Sequence, residues 1–105
     1  MFSSKPYKRS KRVSDNIKRE IAHIFQFDVN DPRLKSIVVT RVDLSDDLSN
    51  AKVYISRYLG NIDLDESFEK ALNKSKNYIR KKLGSNMNLK RLPSIEFYLE
   101  DKIQE

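Results

Sequence analysis

Apolar and polar residues alternate along the chain with two different periods, which predict helices in some segments and strands in others. A first amphipathic helix over about residues 14–27 is predicted from five apolar residues at helical spacing: Val13, Ile17, Ile21, Ile24 and Phe25. Ser14 is the expected N-cap of this helix. Asp31-Pro32-Arg33 should end the helical region, because a residue that precedes proline avoids the α conformation.

Two segments with strand-like patterns follow. Residues 36–45 are rich in β-branched side chains, and four of them are expected to share one face: Val38, Thr40, Val42 and Leu44. Residues 50–58 alternate more regularly and place three apolar side chains on one face: Ala51, Val53 and Ile55. The connection Asp46-Asp47-Leu48-Ser49 is short and polar, so the two strands should form an antiparallel hairpin.

A longer helical pattern begins near Asp63 or Asp65 and should end at Gly84 and Asn86. One of its sides is apolar and contains Phe68, Ala71, Leu72, Ser75, Tyr78, Ile79 and Leu83. Lys82 falls inside this apolar arc if the helix is unbroken, so a kink is predicted near Ser75-Lys76-Asn77. A third strand follows, in which Ile95, Phe97 and Leu99 alternate with polar residues.

The order of elements is helix, strand, strand, helix, strand, which predicts an α+β fold. The second and third strands are joined through a helix, so they should run parallel with a right-handed crossover. We therefore expect a three-stranded mixed sheet with helices on one face. Residues 1–12 lack apolar periodicity and predict a flexible basic arm, with the folded domain over residues 13–105.

The distribution of charge points to a polyanionic partner. The 105 residues carry a net charge of +6, and the segment 70–91 holds eight bases and no acid: Lys70, Lys74, Lys76, Arg80, Lys81, Lys82, Lys90 and Arg91. Nucleic acid is favoured over a membrane surface, because the apolar side of this segment is committed to the core. A solvated lysine-rich face that binds nothing is the plainer alternative.

Composition excludes several other classes of protein. The chain has no Cys, which rules out disulfides, thiolate chemistry and the usual structural zinc sites. No apolar run approaches the roughly 18 residues that a membrane span needs, and no apolar segment follows the basic N-terminus as in a secretory signal. The expected location is the cytoplasm.

Six short motifs follow one another: Arg12 to Ile24, Asp31-Pro32-Arg33-Leu34, Val42 to Leu48, Ala51 to Ser56, Ala71 to Leu83, and Leu89 to Phe97 with Asp101. In this order and at this spacing they resemble the bacterial ribosome-binding factor A family over about residues 12–101. The resemblance implies a type II KH-like domain with the order α-β-β-α-kink-α-β. The family usually has Ala-x-Gly at the kink, where this chain has Ser75-Lys76-Asn77.

The resemblance also implies a non-catalytic factor that binds the small (30S) ribosomal subunit during 16S rRNA maturation and matters for growth in the cold. The helices around the kink and the nearby basic side chains would face the rRNA or its precursor. The residues expected to bind RNA are Lys74, Ser75, Lys76, Asn77, Arg80, Lys81, Lys82, Lys90, Arg91 and Arg33. The factor is expected to act as a monomer, with no cofactor and no metal.

Other functions stay open at this point. A KH-like protein-interaction module with an acidic protein partner would use the same charges. A hydrolase that uses Asp46 and Asp47 is disfavoured, because carboxylates in a hairpin turn usually serve local hydrogen bonds. His23, the only histidine, should be exposed. Tyr54, Tyr58 and Tyr98, on the sheet face away from the helices, are a minor alternative for stacking on bases.

Overall fold

The computed structural model describes residues 9–57 and 66–100, and in these residues a three-stranded sheet carries two helices on one face. The elements are α1 (Arg9–His23), β1 (Ile37–Leu44), β2 (Asn50–Arg57), α2 (Glu66–Met87) and β3 (Ser94–Leu99). β2 is the central strand, antiparallel to β1 and parallel to β3. The predicted α+β fold with its mixed sheet is confirmed.

Some predictions lie outside the described residues. They concern residues 1–8 of the basic arm, Tyr58, the Gly60-Asn61 break, the acidic start of the second helix at Asp63 or Asp65, and the segment 101–105.

A single apolar core fills the space between the helices and the sheet. Its largest fully buried side chains are Phe25, Ile17, Ile21, Ile24, Leu34, Ile55, Ile79, Leu83 and Val53. The predicted inward faces of β2 and β3 are correct: Ala51, Val53, Ile55 and Ile95 are buried, and Phe97 and Leu99 pack against the core. Each large side chain that is fully buried contributes about 1.5–3 kcal/mol to the free energy of unfolding. This core therefore fixes the helices and strands that carry the surface residues.

α1 begins earlier than predicted. It includes Arg9–Arg12, which sequence reasoning had assigned to the arm, and Ser14 lies inside the helix instead of capping it. Ser14 is buried, and its hydroxyl donates to the carbonyl of Lys11 at 3.0 Å, a bond that satisfies it within the helix. An ion pair between Lys11 and Asp15 (3.4 Å) spans the same turn.

α1 ends in a wide π-helical turn over Ile24–Asp28. A π turn adds one residue to the repeat and so changes which side chains face inward. Adjacent Ile24 and Phe25 both enter the core, whereas Phe27 is 64% exposed. The predicted end of the helix near residue 27 is correct, but its change of phase was not predicted.

A β-bulge in β1 overturns part of the predicted face. The register with β2 shifts between Val39 and Arg41, so the strand has one residue too many at Thr40. Val39 and Val42 are therefore buried, while Val38 is exposed and Thr40 is half-buried. The prediction that Val38 and Thr40 share a face with Val42 is wrong, because the bulge resets the alternation.

α2 is one unbroken helix, so the predicted kink at Ser75-Lys76-Asn77 is wrong. Asn77 stays helical: among the described non-glycine residues only Leu48 and Asn88 have positive φ. The kink was predicted because Lys82 would place its charge in the apolar arc. The unbroken helix accommodates this charge, because Lys82 lies at the edge of the apolar side with its Nζ 3.9 Å from the carboxylate of Asp28.

α2 also continues past Gly84 and Asn86, where it was predicted to end. It ends at Met87, and Asn88 adopts φ 55° while its N–H donates to the carbonyl of Gly84 at 3.1 Å. Asparagine is among the few residues that tolerate this left-handed helix cap. Gly84 has a different role, since a Cβ built there would lie 2.7 Å from Cδ2 of Leu92.

Candidate nucleic-acid interface

The outer side of α2 carries a straight row of exposed side chains: Lys70, Lys74, Asn77 and Lys81. Their spacing of four, three and four residues keeps them on one side of a regular helix. At a rise of about 1.5 Å per residue, the row extends over roughly 16 Å. We call it the lysine row. Because α2 does not kink, its cations lie along one line, and Lys70 joins the predicted site residues Lys74, Asn77 and Lys81.

One flank of this row is formed by Arg80 and Lys76, which are four residues apart and both half-buried. The guanidinium of Arg80 donates from Nε to the carbonyl of Pro93 at 3.0 Å and from Nη2 to that of Leu92 at 3.4 Å. Arg80 therefore holds the loop before β3 against the helix. Its charge was predicted to bind phosphate, but its geometry is that of a structural anchor.

The loop that Arg80 holds carries two further predicted residues. Lys90 and Arg91 are both exposed, and they follow the cap at Asn88. The contacts of Arg80, together with the close approach of Leu92 to Gly84, position this loop beside the C-terminal half of α2. Lys90 and Arg91 thus extend the positive surface of the lysine row.

The opposite flank contains Tyr78 and Lys82, again four residues apart. Both meet Asp28 at the end of the π turn: the Tyr78 hydroxyl donates to its carbonyl at 3.4 Å, and Lys82 pairs with its carboxylate. The Lys82 ammonium also lies 6.0 Å from the centre of the Tyr78 ring. A long, half-exposed ion pair of this kind contributes little to stability, so Lys82 can exchange Asp28 for another anion at small cost.

Arg33 links the Asp-Pro-Arg turn to the start of α2. Its guanidinium pairs with the carboxylate of Asp31 at 2.7 Å and donates to the Ser67 carbonyl at 3.3 Å and to the Ser67 hydroxyl. The pKa of Asp31 is lowered, first by the side-chain hydrogen bond from Arg33 and then by that residue's backbone N–H. The structure therefore gives Arg33 a bracing role, and its place in an RNA surface stays a prediction.

Ser75 is the one predicted site residue that does not reach the surface. It is buried, and its hydroxyl donates to the carbonyl of Leu72 at 2.7 Å. Its position in the apolar arc of the pattern was the signal of this outcome. The structure therefore gives the Ser75 hydroxyl a role within the helix, and the place of Ser75 in the RNA-binding set stays a prediction.

The hairpin carboxylates have local roles. Asp47 accepts hydrogen bonds from the Ser49 hydroxyl (2.7 Å), the Ser45 hydroxyl (2.8 Å) and the Ser49 N–H (3.1 Å), which lower its pKa to about 2. Within residues 9–57 and 66–100, no group of three or more His, Asp or Glu is placed to hold a metal ion. In the same residues no helix is long and apolar enough to cross a membrane.

The open face of the sheet has a mixed charge. Tyr54 and Tyr98 stack with their ring centres 5.4 Å apart, and the Arg41 guanidinium lies 4.0 Å above Tyr54. Arg41 is also paired with Glu100 (3.4 Å), and the Tyr98 hydroxyl donates to Glu96 at 3.1 Å, which raises the Tyr98 pKa. Carboxylates surround these rings, so this face is less suited to a polyanion than the lysine row is.

Two helices on one face of a β1-β2-β3 sheet, with a surface helix that has no acid from Lys70 to Met87, define a small basic α+β domain of the KH-like class. Comparison with known proteins is more specific. The family model described as ribosome-binding factor A matches residues 9–105. A ribosome-binding factor A from Caldicellulosiruptor bescii is 40% identical over 100 residues, covering 93% of this chain and 76% of the relative.

Solved structures agree with this assignment. The solution NMR structure of a Thermotoga maritima protein described as a putative ribosome-binding factor A has a TM-score of 0.76 and 28% identity, covering 98% of this chain and 97% of that one. A homology model of the Thermus thermophilus factor, fitted into a cryo-EM map of a 30S complex, has a TM-score of 0.67 and 29% identity, covering 81% and 88%. The chain belongs to the ribosome-binding factor A family.

Proposed function

We propose that this protein is a non-catalytic ribosome assembly factor that binds the small (30S) ribosomal subunit in the cytoplasm and assists maturation of 16S rRNA. The observation that carries the proposal is the lysine row on a helix segment that contains no acid. Membership in the ribosome-binding factor A family supports it, as does the fit of a similar protein in a 30S complex.

The proposed RNA surface consists of the accessible cations around α2 together with Asn77. Its members are Lys70, Lys74, Lys76, Asn77, Lys81, Lys82, Lys90 and Arg91. Arg80 and Arg33 act as positioning residues, because their guanidinium groups already donate to protein carbonyls. The basic arm that precedes α1 adds non-specific attraction, and the protein acts as a monomer.

Binding through this surface should be strongly dependent on salt. Each phosphate that a lysine neutralises releases bound counterions, so the logarithm of the binding constant falls linearly with the logarithm of the salt concentration. The slope changes by roughly 0.7–0.9 for each phosphate contact. The number of contacts can therefore be read from the slope without knowing which rRNA helix is bound.

Co-sedimentation with small subunits, large subunits and whole ribosomes over a salt series tests the proposal. We expect salt-sensitive binding to free small subunits only. The variant Lys74→Gln/Lys81→Gln should weaken it and reduce the slope. Lys18→Gln/Lys52→Gln is the matched control, since it removes the same charge from exposed positions on α1 and on the open sheet face.

Three outcomes would contradict the proposal. Equal binding to both subunits would reduce the lysine row to a non-specific polyanion binder. Equal losses in the test and control variants would show that only net charge matters. Partners that survive nuclease treatment in a pull-down, and that are acidic proteins, would favour a protein-interaction module.

A further inference from the structure

Phe27 is the most exposed large apolar side chain among the described residues, at 64%. Its exposure follows from the π turn, which directs Ile24 and Phe25 into the core and leaves Phe27 pointing outward. The ring is not isolated, because the imidazole of His23 lies 4.8 Å away at an angle of 45°. The chain therefore presents an aromatic surface at the end of α1.

Two lysines contact the residues that precede and follow Phe27 in the chain. The residue before Phe27, Gln26, accepts a hydrogen bond at its carbonyl from the Nζ of Lys35 at 3.1 Å. The residue after it, Asp28, pairs through its carboxylate with the Nζ of Lys82 at 3.9 Å. The turn that exposes the Phe27 ring to a base therefore also carries two ammonium groups that can attract the adjoining phosphates.

A second exposed aromatic side chain connects this surface to the lysine row. Tyr78 is 41% exposed, and its hydroxyl donates to the backbone carbonyl of Asp28. It belongs to the same flank of α2 as Lys82. We name His23, Phe27, Lys35, Tyr78 and Lys82 the Phe27 cluster.

We infer that the Phe27 cluster binds an unpaired nucleotide, with its base stacked on Phe27 and its phosphates near Lys35 and Lys82. The inference rests on the proposed function and deepens it, because it adds recognition of single-stranded RNA to phosphate neutralisation along the lysine row. Aromatic stacking is tolerant of sequence, since every base has a π face. Recognition of RNA relies widely on bases that are splayed out of a helix in this way.

Charge favours a nucleotide over a protein segment as the occupant. The ammonium groups of Lys35 and Lys82 outnumber the carboxylate of Asp28, which follows Phe27 and pairs with Lys82. On the open sheet face the charge of Arg41, which lies over Tyr54, is offset by Glu100, and Glu96 accepts a hydrogen bond from the Tyr98 hydroxyl. The Phe27 cluster therefore has the more positive surroundings of the two aromatic surfaces and is better suited to an anionic ligand.

The chain has no Trp, so a Phe27→Trp variant contains a single tryptophan, at the cluster, whose fluorescence can be excited apart from that of the tyrosines. We would titrate it with an unstructured oligouridine RNA and with an abasic ribose-phosphate oligomer of the same length. Stacking predicts that the RNA quenches the tryptophan and that the abasic oligomer, which has the same charge, does not. In parallel, Phe27→Ala should weaken RNA binding at least about fivefold and leave binding of the abasic oligomer unchanged.

Tyr98→Ala is the matched control, because Tyr98 is 39% exposed on the other side of the sheet. Its RNA affinity should equal that of the unmodified protein, and thermal melts should show that every variant is folded at the assay temperature. Equal quenching by both oligomers, or equal losses for Phe27→Ala and Tyr98→Ala, would overturn the inference. The inference would also be overturned if Phe27→Ala bound RNA normally while binding to the small subunit still depended on Lys74 and Lys81. That result would leave the proposed function intact.

Discussion

Arg80 and Lys81 are adjacent and carry the same charge, but mutations of the two residues should affect different properties of the protein. Lys81 is exposed in the lysine row, whereas Arg80 donates to the carbonyls of Pro93 and Leu92. We consider Arg80→Lys, which keeps the charge and loses the guanidinium fork, and Lys81→Gln, which loses the charge and keeps the fold. The first should affect stability and the second should affect binding.

The size of the first effect follows from the two hydrogen bonds. A hydrogen bond that involves a charged group contributes about 1.5–3 kcal/mol, and only the 3.0 Å bond from Nε lies in the normal range. Because Arg80 is half-exposed and lysine can keep one contact, we expect a loss of about 1–2 kcal/mol. For a domain of this size that lowers the melting temperature by roughly 4–10 °C.

Lys81→Gln should change the free energy of unfolding by no more than about 0.5 kcal/mol, as is usual for an exposed side chain. Its log–log salt slope for small-subunit binding should fall by about 0.7–0.9, while the slope of Arg80→Lys stays that of the unmodified protein. Thermal melts followed by circular dichroism and co-sedimentation over a salt series measure the two quantities. An Arg80→Lys protein that melts normally but binds with a reduced slope would refute the assignment of Arg80 as an anchor.

Three further outcomes are expected from thermal melts. Gly84→Ala should destabilise the protein by about 1–2 kcal/mol, because the added methyl group meets Leu92. In a Leu92→Ala background the same change should stabilise α2 by up to about 1 kcal/mol, because alanine has the higher helix propensity. Destabilisation in both backgrounds would show that a clash with Leu92 is not the cause. Asn88→Gly should raise the melting temperature slightly, since glycine adopts φ 55° without steric cost, and a lowered value would show that the asparagine side chain matters. The pKa of Asp47 is lowered to about 2, so the stabilising contribution of its carboxylate is present above about pH 4 and is lost as the pH falls toward 2. Asp47→Asn should therefore lower the melting temperature at pH 7 but not at pH 2. An equal change in melting temperature at both pH values would show that the ionised carboxylate is not the cause.

The inward faces of β2 and β3 were predictable because strand alternation depends only on neighbouring residues. The same rule failed at β1, where the bulge at Thr40 depends on distant side chains. The Thr40 hydroxyl lies 3.0 Å from the Tyr54 carbonyl and 2.6 Å from the Glu100 carboxylate, so its one proton serves either acceptor. The bulge is thus supported by β2 and by the residue that follows β3, and no pattern within residues 36–45 contains that information.

The false kink has a similar cause. Lys82 conflicts with the apolar arc of α2 only if the helix is considered alone. Asp28, more than fifty residues earlier, supplies the carboxylate that accommodates it. Phe27 was missed for a related reason, since the π turn shifts the helical phase by one residue without any glycine or proline to mark it.

An unbroken α2 also changes what the charge of this segment can do. A kink would have exposed backbone N–H groups between two half-helices and concentrated binding at one point. An unbroken helix instead distributes its cations along roughly 16 Å, so that on the proposed RNA surface each lysine of the row can contact its own phosphate. Loss of Lys70, Lys74 or Lys81 should then reduce the salt slope in similar steps that add together, because each loss removes one phosphate contact. Under this arrangement no single cation dominates affinity, and Arg80, although it lies in the middle of the basic segment, contributes through the loop that it holds.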